Sequence, residues 1–514
     1  MISAWAASGM KVHAINRVED LIREVEDSDY LEANTVVLNS LMSAWVKAKN
    51  PAAIGRMEEI LRQMEQSSNA KPDLVSYNTY LHALSIHSSP KRPDLSVRAE
   101  SLLQKIEDEY KNGVLSFGPN TFSYNLVLES ICRAQDSNAV LRAANLLRRM
   151  IHSDEVDPDT FSFNQVLVLM SKKYAKASQI EELLRHMDEN AYQDAKPDVS
   201  SFYAVIYACS RVAGRPSAEH AEQLLQEMKR RAANGEDHLK PNRLCYNTVI
   251  DCWARSGEGT FGARRAEALL QEMQDNFFAG DVNVSPNKMT FNAVLNAWAR
   301  SGTRCCGYKA EKYLNQMWQL YQAGNAQVKP NDFSYNTVIN AISKSKHKEK
   351  GQKALRVLRR MDKLYLAGNK EARPNEITYT AVIKSCAFPS VRDSRTRRKA
   401  LDTAIFTLKE LQGSRYGQPN QVTYFTFIRA CSNLLHDDYE MRRVIIKKAF
   451  EQCCEDGQVG SMVLNCIPKD LHDELLAGYA TSYNKISFNN LPMEWKRNVD
   501  EKMQWGTNRH VKKH

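Results

Sequence analysis

Proline followed by Asp or Asn, and then by a short run with an amide five residues on, recurs along this chain. Examples are Pro72-Asp73-Leu74-Val75-Ser76-Tyr77-Asn78, Pro286-Asn287-Lys288-Met289-Thr290-Phe291-Asn292 and Pro330-Asn331-Asp332-Phe333-Ser334-Tyr335-Asn336. A recurrence this regular makes the chain an array. Its function is therefore to be sought in the register of the repeats and not in a single pocket.

With the residue after each Pro-Asp or Pro-Asn as position 1, units start at Leu74, Thr121, Thr160, Val199, Arg243, Lys288, Asp332, Glu376 and Gln421, preceded by one at Thr35. Successive spacings are 39, 47, 39, 39, 44, 45, 44, 44 and 45 residues. Each unit opens with apolar residues three or four apart, as at Phe291, Val294, Leu295 and Trp298, which predicts an amphipathic helix A. A second amphipathic run follows, as at Ala221–Met228, Ala266–Met273 and Ala354–Met361, and predicts helix B. The closing Pro stops one helix, and the Asp or Asn caps the next. Two antiparallel helices cannot bury their apolar faces alone, so units must stack. The expected fold is all-α, a right-handed α-solenoid of helix-turn-helix repeats. Residues 1–34 form a truncated N-terminal repeat, residues 35–456 ten tandem units, and residues 457–514 a C-terminal cap and tail.

Ten units account for nearly all of the 514 residues and leave no room for an added catalytic domain. No window approaches eighteen uninterrupted apolar residues, so no membrane span is expected. Eleven cysteines are scattered without a Cys-x-x-Cys, and Cys209, Cys252 and Cys431 fall at helix-core positions. Reduced, buried thiols are expected, with no metal site and no cofactor. Ser3–Gly9 matches the end of a helix A (compare Asn296–Gly302) and Ile15–Val25 reads as a helix B. The chain thus begins inside a repeat, and upstream sequence with any targeting peptide is expected to be missing.

The unit resembles the pentatricopeptide repeat: an apolar pair, Thr-Tyr-Asn, a basic residue near position 13, Ala-x-x-Leu-x-x-Met in helix B and Pro-Asp at the end. The resemblance covers about residues 2–455, with extended repeats of the P type. Five units run 44 or 45 residues where the family's are near 35, and the surplus follows the helix B Met, as in Gln274–Ser285. The tetratricopeptide repeat, with a strict 34-residue period, does not fit.

The resemblance implies binding of single-stranded RNA at about one nucleotide per repeat, read by position 5 and the last residue of the unit, with position 2 packing on the base. Position 5 is Asn39, Asn78, Asn125, Asn164, Tyr203, Asn247, Asn292, Asn336, Thr380 and Phe425. The terminal partners are Asp73, Asn120, Asp159, Asp198, Asn287, Asn331, Asn375 and Asn420. Position 2 is Val36, Val75, Phe122, Phe161, Ser200, Leu244, Met289, Phe333, Ile377 and Val422, one turn from position 5 on the same face. A terminal Asp only accepts hydrogen bonds and suits uracil or guanine, whereas Asn can donate and suits cytosine or adenine. In the family's usage, Asn at position 5 goes with pyrimidines and Thr with purines. The expected site is then close to 5′-U-C-U-U-N-C-C-C-A-3′, and Tyr203 and Phe425 fit no rule.

Independently of the family, position 13 is basic in seven of ten units: Lys47, Arg133, Lys172, Arg211, Arg255, Arg300 and Lys344. It lies about 12 Å beyond position 5 along helix A, turned by roughly 80°. A ladder of amides beside a ladder of cations suits a strand with bases on one side and phosphates on the other. Structural roles exist beside each of these. The Asp and Asn residues are good N-caps whatever the ligand, the repeated Asn can bridge adjacent units, and the cations can serve the helix dipole. The basic runs Arg392–Lys399 and Lys344–Lys350 are expected in turns.

Catalysis finds no support. His220-x-Glu222 lies inside a helix B with no partner Cys-x-x-Cys, and residues 457–514 carry no Asp cluster that would hold magnesium. Leu471–Tyr479 reads as a capping helix, Leu491–Val499 as an apolar and basic segment without assigned role, and Lys512–His514 as a frayed tail. The expected protein is a monomeric, non-enzymatic adaptor that binds single-stranded RNA and no membrane. By resemblance it acts in a mitochondrion or plastid in RNA processing, stability or translation, with a processing enzyme or ribosome as possible further partner. A protein-binding scaffold, or a subunit of an organellar ribosome or RNA complex, is the competing reading.

Overall fold

The computed structural model describes residues 34–499, apart from 49, 174, 190–191, 193, 388–392, 477–487 and 489–490. The expectations for Ser3–Gly9, Ile15–Val25 and Lys512–His514 lie outside the described residues.

Ten A helices begin at Thr35, Leu74, Thr121, Thr160, Val199, Arg243, Lys288, Asp332, Glu376 and Gln421. Each is followed by a B helix: Ala53–Gln66, Asp94–Lys111, Ala139–Ile151, Ala177–Glu189, Arg215–Ala233, Gly259–Phe278, Cys306–Gln322, Lys350–Leu366, Ser394–Gln412 and Tyr439–Glu455. Among the described residues no strand occurs beyond an isolated bridge between Ser89 and Arg92. The fold is an all-α solenoid of stacked helical hairpins.

The A helices start where they do because the closing Asp or Asn caps them. From Asp73 to Asn420, all nine such residues accept a hydrogen bond from a backbone amide of the first turn. In eight of them the Ser or Thr at position 3 returns a side-chain contact to the cap amide, completing a capping box. Asn242 lacks this return because its position 3 is Cys245. Each cap is worth about 1 kcal/mol.

The described residues form two compact bodies. One runs to Arg211 and includes Gln223–Pro241; the other comprises Val212–Glu222 and the chain from Asn242 onward. Within each body, successive A helices pack side by side, and most B helices pack against their own A helix and the next. The aromatic at position 4 fills the seam: Tyr77, Tyr124, Phe163, Phe202, Tyr246, Phe291, Tyr335, Tyr379 and Tyr424 are all buried. The helix B methionines Met64, Met150, Met187, Met228, Met273, Met317 and Met361 are fully buried as well. Consecutive B helices are tied along the outer ridge by ion pairs such as Lys105–Glu65, Lys309–Glu267 and Lys353–Glu311 at 2.7–2.9 Å. Exposed pairs of this kind each contribute at most about 1 kcal/mol.

In four of the five long units the surplus residues take one repeated form; the unit from Glu376 instead ends helix B at Gly413, with φ −92°. Helix B runs a turn past its Met, then ends at a glycine with positive φ: Gly235 at 103°, Gly280 at 104°, Gly324 at 100° and Gly368 at 100°. The glycine amide and the next amide bond back to helix carbonyls, as in Gly324 to Tyr321 and Asn325 to Leu320, a Schellman closure. A 3-10 turn follows and plugs the outer edge with Leu239, Val284, Val328 or Ala372. The surplus is thus both a longer helix and a longer exit.

The run from Arg395 to Lys399 corrects an expectation. It lies in helix Ser394–Gln412, capped by Asp393, and not in a turn; Arg392 is outside the described residues. Lys344 and Lys350 likewise end one helix and start the next, with only the residues between them in a turn.

At the C-terminal end, Leu471, Leu476 and Leu491 are buried with Phe450, Ile446 and Val463. A 3-10 turn at Lys469–Leu471 leads into helix His472–Leu476. The Trp495 carbonyl accepts from the Val459 amide at 2.8 Å, and its ring meets Phe450 edge-on at 5.7 Å. Leu491–Val499, without a role in the sequence reading, closes the end of the last repeat.

Candidate nucleic-acid interface

Position 5 lies at the seam between one A helix and the next. The amide nitrogens of Asn39, Asn125 and Asn164 donate to Asp73, Asp159 and Asp198 at 3.0–3.1 Å. Their Oδ1 atoms accept from the hydroxyls of Ser76, Ser162 and Ser201 at 2.6–2.7 Å. Asn78, Asn247 and Asn292 accept in the same way from Ser123, Thr290 and Ser334. Asn292 also reaches Asn331 at 3.4 Å, and Thr380 shares a hydrogen bond with Thr423 at 2.7 Å. The bridging role weighed for the repeated Asn is therefore real. The position 3 hydroxyl completes it, with Ser or Thr standing there in eight units, although position 3 is not among the candidate site residues expected from the sequence.

These bonds leave capacity for a ligand. Each Asn amide has two N–H donors, of which Asn39 and Asn164 place one bond on their Asp, and each carboxylate has two oxygens. Asp73 and Asp198 meet their Asn through one oxygen, while Asp159 uses both. Burial pushes the Asp73 carboxyl up, but the Ser76 amide, the Asn39 amide, the Ser76 hydroxyl and the Val75 amide together hold it below its ordinary range. Asn336 departs from the pattern. Its Oδ1 is buried without a partner, and the Thr378 hydroxyl meets its own cap Asn375 at 2.9 Å but not Asn336.

Two of the long units keep this geometry. Ser162 meets Asn125 across 37 residues at 2.6 Å, and in the long units Thr290 meets Asn247 across 43 residues and Ser334 meets Asn292 across 42, both at the same distance. In these units the extra residues on the outer edge leave the seam unchanged.

Beside each amide stands an apolar side chain in solvent. Val36, Val75, Phe122, Phe161, Leu244, Met289, Phe333 and Ile377 are 46–68% exposed, whereas the neighbouring position 4 aromatics are buried. Ser200 and Val422 complete the row, Ser200 as a polar substitute and Val422 half-buried.

The cations at position 13 are mostly exposed and partly engaged. Arg133 pairs with Glu129 of its own helix at 2.6 Å, and Arg255 with Asp251. Arg133, Arg211 and Lys344 also donate to the carbonyls of Ile86, Ser171 and Ala299, at the C-terminal end of the preceding A helix. A cation there is favoured by the helix dipole. Lys47, Lys172 and Arg300 stand exposed in the same row. Burial lowers the affinity of the Lys344 amine for its proton, and the nearby Lys384 and Arg300 lower it further.

In the C-terminal body the row opens into a groove of about 870 Å³. It is lined by Phe333, Ile377 and Val422 of position 2, by Asn336, Thr380 and Phe425 of position 5, and by the terminal Asn375 and Asn420. Asn340, Lys384 and Arg429, all at position 9, also line it. Among the described residues no His, Cys, Asp and Glu cluster is arranged for a metal, and all eleven cysteines are free thiols. Burial pushes the Cys209 thiol up to about 11 and the Cys386 thiol up to about 12, so these two stay protonated. No described helix is long and apolar enough to cross a membrane.

No family model matches the chain, and no curated protein matches it. Among solved structures it is similar to the pentatricopeptide repeat protein PPR10 from maize, at 19% identity over 95% of this chain and 69% of that one, with a TM-score of 0.44. It is also similar to PPR10 in complex with an 18-nt psaJ RNA element, at 15% identity over 91% of this chain and 71% of that one, with a TM-score of 0.35. The fold assignment rests on the helix pairs themselves and not on these likenesses.

Proposed function

We propose that the chain is a pentatricopeptide-type repeat protein that binds single-stranded RNA along the A-helix face, without catalysis of its own. The observation that carries this is the row of exposed apolar side chains at position 2, in eight of the ten repeats, each one turn from a polar seam. Soluble proteins rarely expose so regular an apolar row unless something covers it. A base presents an apolar face and polar edges together, and a repeating polymer matches a repeating surface. The terminal Asp and Asn residues, with the unused hydrogens of the position 5 amides, supply the edge contacts. The cations at position 13 face the phosphates.

Fluorescence anisotropy with the pyrimidine-rich RNA, poly(A) and a duplex tests this. Counting the seven cations at position 13, about seven phosphates are neutralised. The log–log salt slope is then about −5 at about 0.7 per phosphate. Binding to the single strand with such a slope supports the proposal. Binding no tighter than to the duplex overturns it in favour of a protein-binding scaffold. Triple substitution of Asn39, Asn125 and Asn164 by Thr is expected to shift preference from U toward G at those positions. Action in a mitochondrion or plastid, in RNA processing, stability or translation, completes the proposal, and localisation of the full-length protein tests it.

A further inference from the structure

The last repeat departs from its neighbours at two positions at once. Position 5 is Phe425, which has no hydrogen-bonding group to offer a base edge, yet its ring lines the groove beside Val422 and Thr380. Position 9, one turn further on, is Arg429, whose guanidinium lies 5.9 Å from the centre of that ring. The ninth repeat carries Lys384 at the same position, lining the same groove. In the first eight repeats position 9 is Ser43, His82, Glu129, Val168, Tyr207, Asp251, Asn296 and Asn340, with no lysine or arginine among them. The last two repeats in turn have no cation at position 13, where Phe388 and Asn433 stand. The positive charge has moved inward by four residues, about 6 Å along the helix.

Resting on the RNA-binding reading above, we infer that the C-terminal groove is a stacking station for the end of the strand, and not a further base-reading repeat. The face of Phe425 takes an unpaired base of any identity, since every base has a π-face. Arg429 lies near enough to the ring for a cation–π contact. Together with Lys384 it meets phosphates drawn about one helical turn closer to the base row than in the earlier repeats.

The test uses the full chain and a ten-base pyrimidine-rich RNA, one base for each of the ten repeats, carrying 2-aminopurine at its 5′ or its 3′ end. With the unmodified protein, the fluorescence of one end and not the other is expected to be quenched by stacking. Phe425→Leu keeps an apolar side chain of similar bulk, and is expected to abolish that quench and to weaken binding roughly tenfold. Because Phe425 also packs on the terminal core, a second variant uses exposed residues only. Lys384→Gln with Arg429→Gln is expected to make the salt slope shallower by about 1.4, at about 0.7 per phosphate. RNA binding with an unchanged quench in Phe425→Leu, or an unchanged slope in the double variant, overturns this inference and leaves the RNA-binding reading standing. Failure of the unmodified protein to bind any single strand removes both.

Discussion

At the residue scale, the seam between repeats concentrates several roles in a few atoms. Asp73 caps a helix, accepts from Asn39 of the previous repeat and faces the proposed ligand row. Because its carboxyl is held below its ordinary range, the folded state binds its proton less readily than the unfolded chain. Its stabilisation is complete above the unfolded value near 4 and is lost as pH falls through the lower folded value. Asp73→Asn keeps the cap and removes the titration. Thermal midpoints from pH 7 to 3 should fall less steeply in the variant, and parallel curves would show that Asp73 contributes nothing to acid sensitivity. The hydroxyl of Ser162 is fully buried and bonded to Asn125, so Ser162→Ala should cost about 1–3 kcal/mol by leaving an acceptor unpaired. Combined with Asn125→Ala, the loss should fall short of the sum by about 0.5 kcal/mol or more in urea unfolding. Strict additivity would refute the coupling.

At the element scale, the starts of the A helices were legible because a cap is local chemistry: Pro, then Asp or Asn, then Ser or Thr three residues on. The apolar periodicity gave the helix pair for the same reason. The partner of each Asn was not legible, since a bond between residues 37 to 45 apart depends on packing that no window of sequence contains. The basic run at Arg395–Lys399 looked like a loop by charge alone, but Asp393 capping Thr396 makes it a first turn. The cations at position 9 escaped notice because they occur in two repeats only and form no pattern along the array. Closure of helix B is the most sensitive local element. Gly324 sits at φ 100° with open space where a Cβ would stand, so Gly324→Ala should destabilise by about 1 kcal/mol through backbone strain alone. Gly55 lies inside a helix with equal space, and Gly55→Ala should instead stabilise by up to about 1 kcal/mol. Urea midpoints moving in the same direction for both would contradict this account.

At the scale of the whole molecule, stability in such an array is close to a sum over neighbouring repeats. The end repeats therefore depend on what closes them. Trp495→Ala removes the ring packed on Phe450, and should speed amide exchange in residues 421–455 while leaving the body that ends at Pro241 unaffected. Uniformly faster exchange would mean that the array unfolds as one unit. The Gly and 3-10 insert described for the long units has a different kind of consequence. Residues can be added or lost behind helix B without altering the hydroxyl-to-amide distance in front, so within either body the step presented to a polymer is insulated from insertions and deletions on the rear edge. Such edits change the thickness of the protein, whereas a change in the number of A helices changes the length of text it can hold.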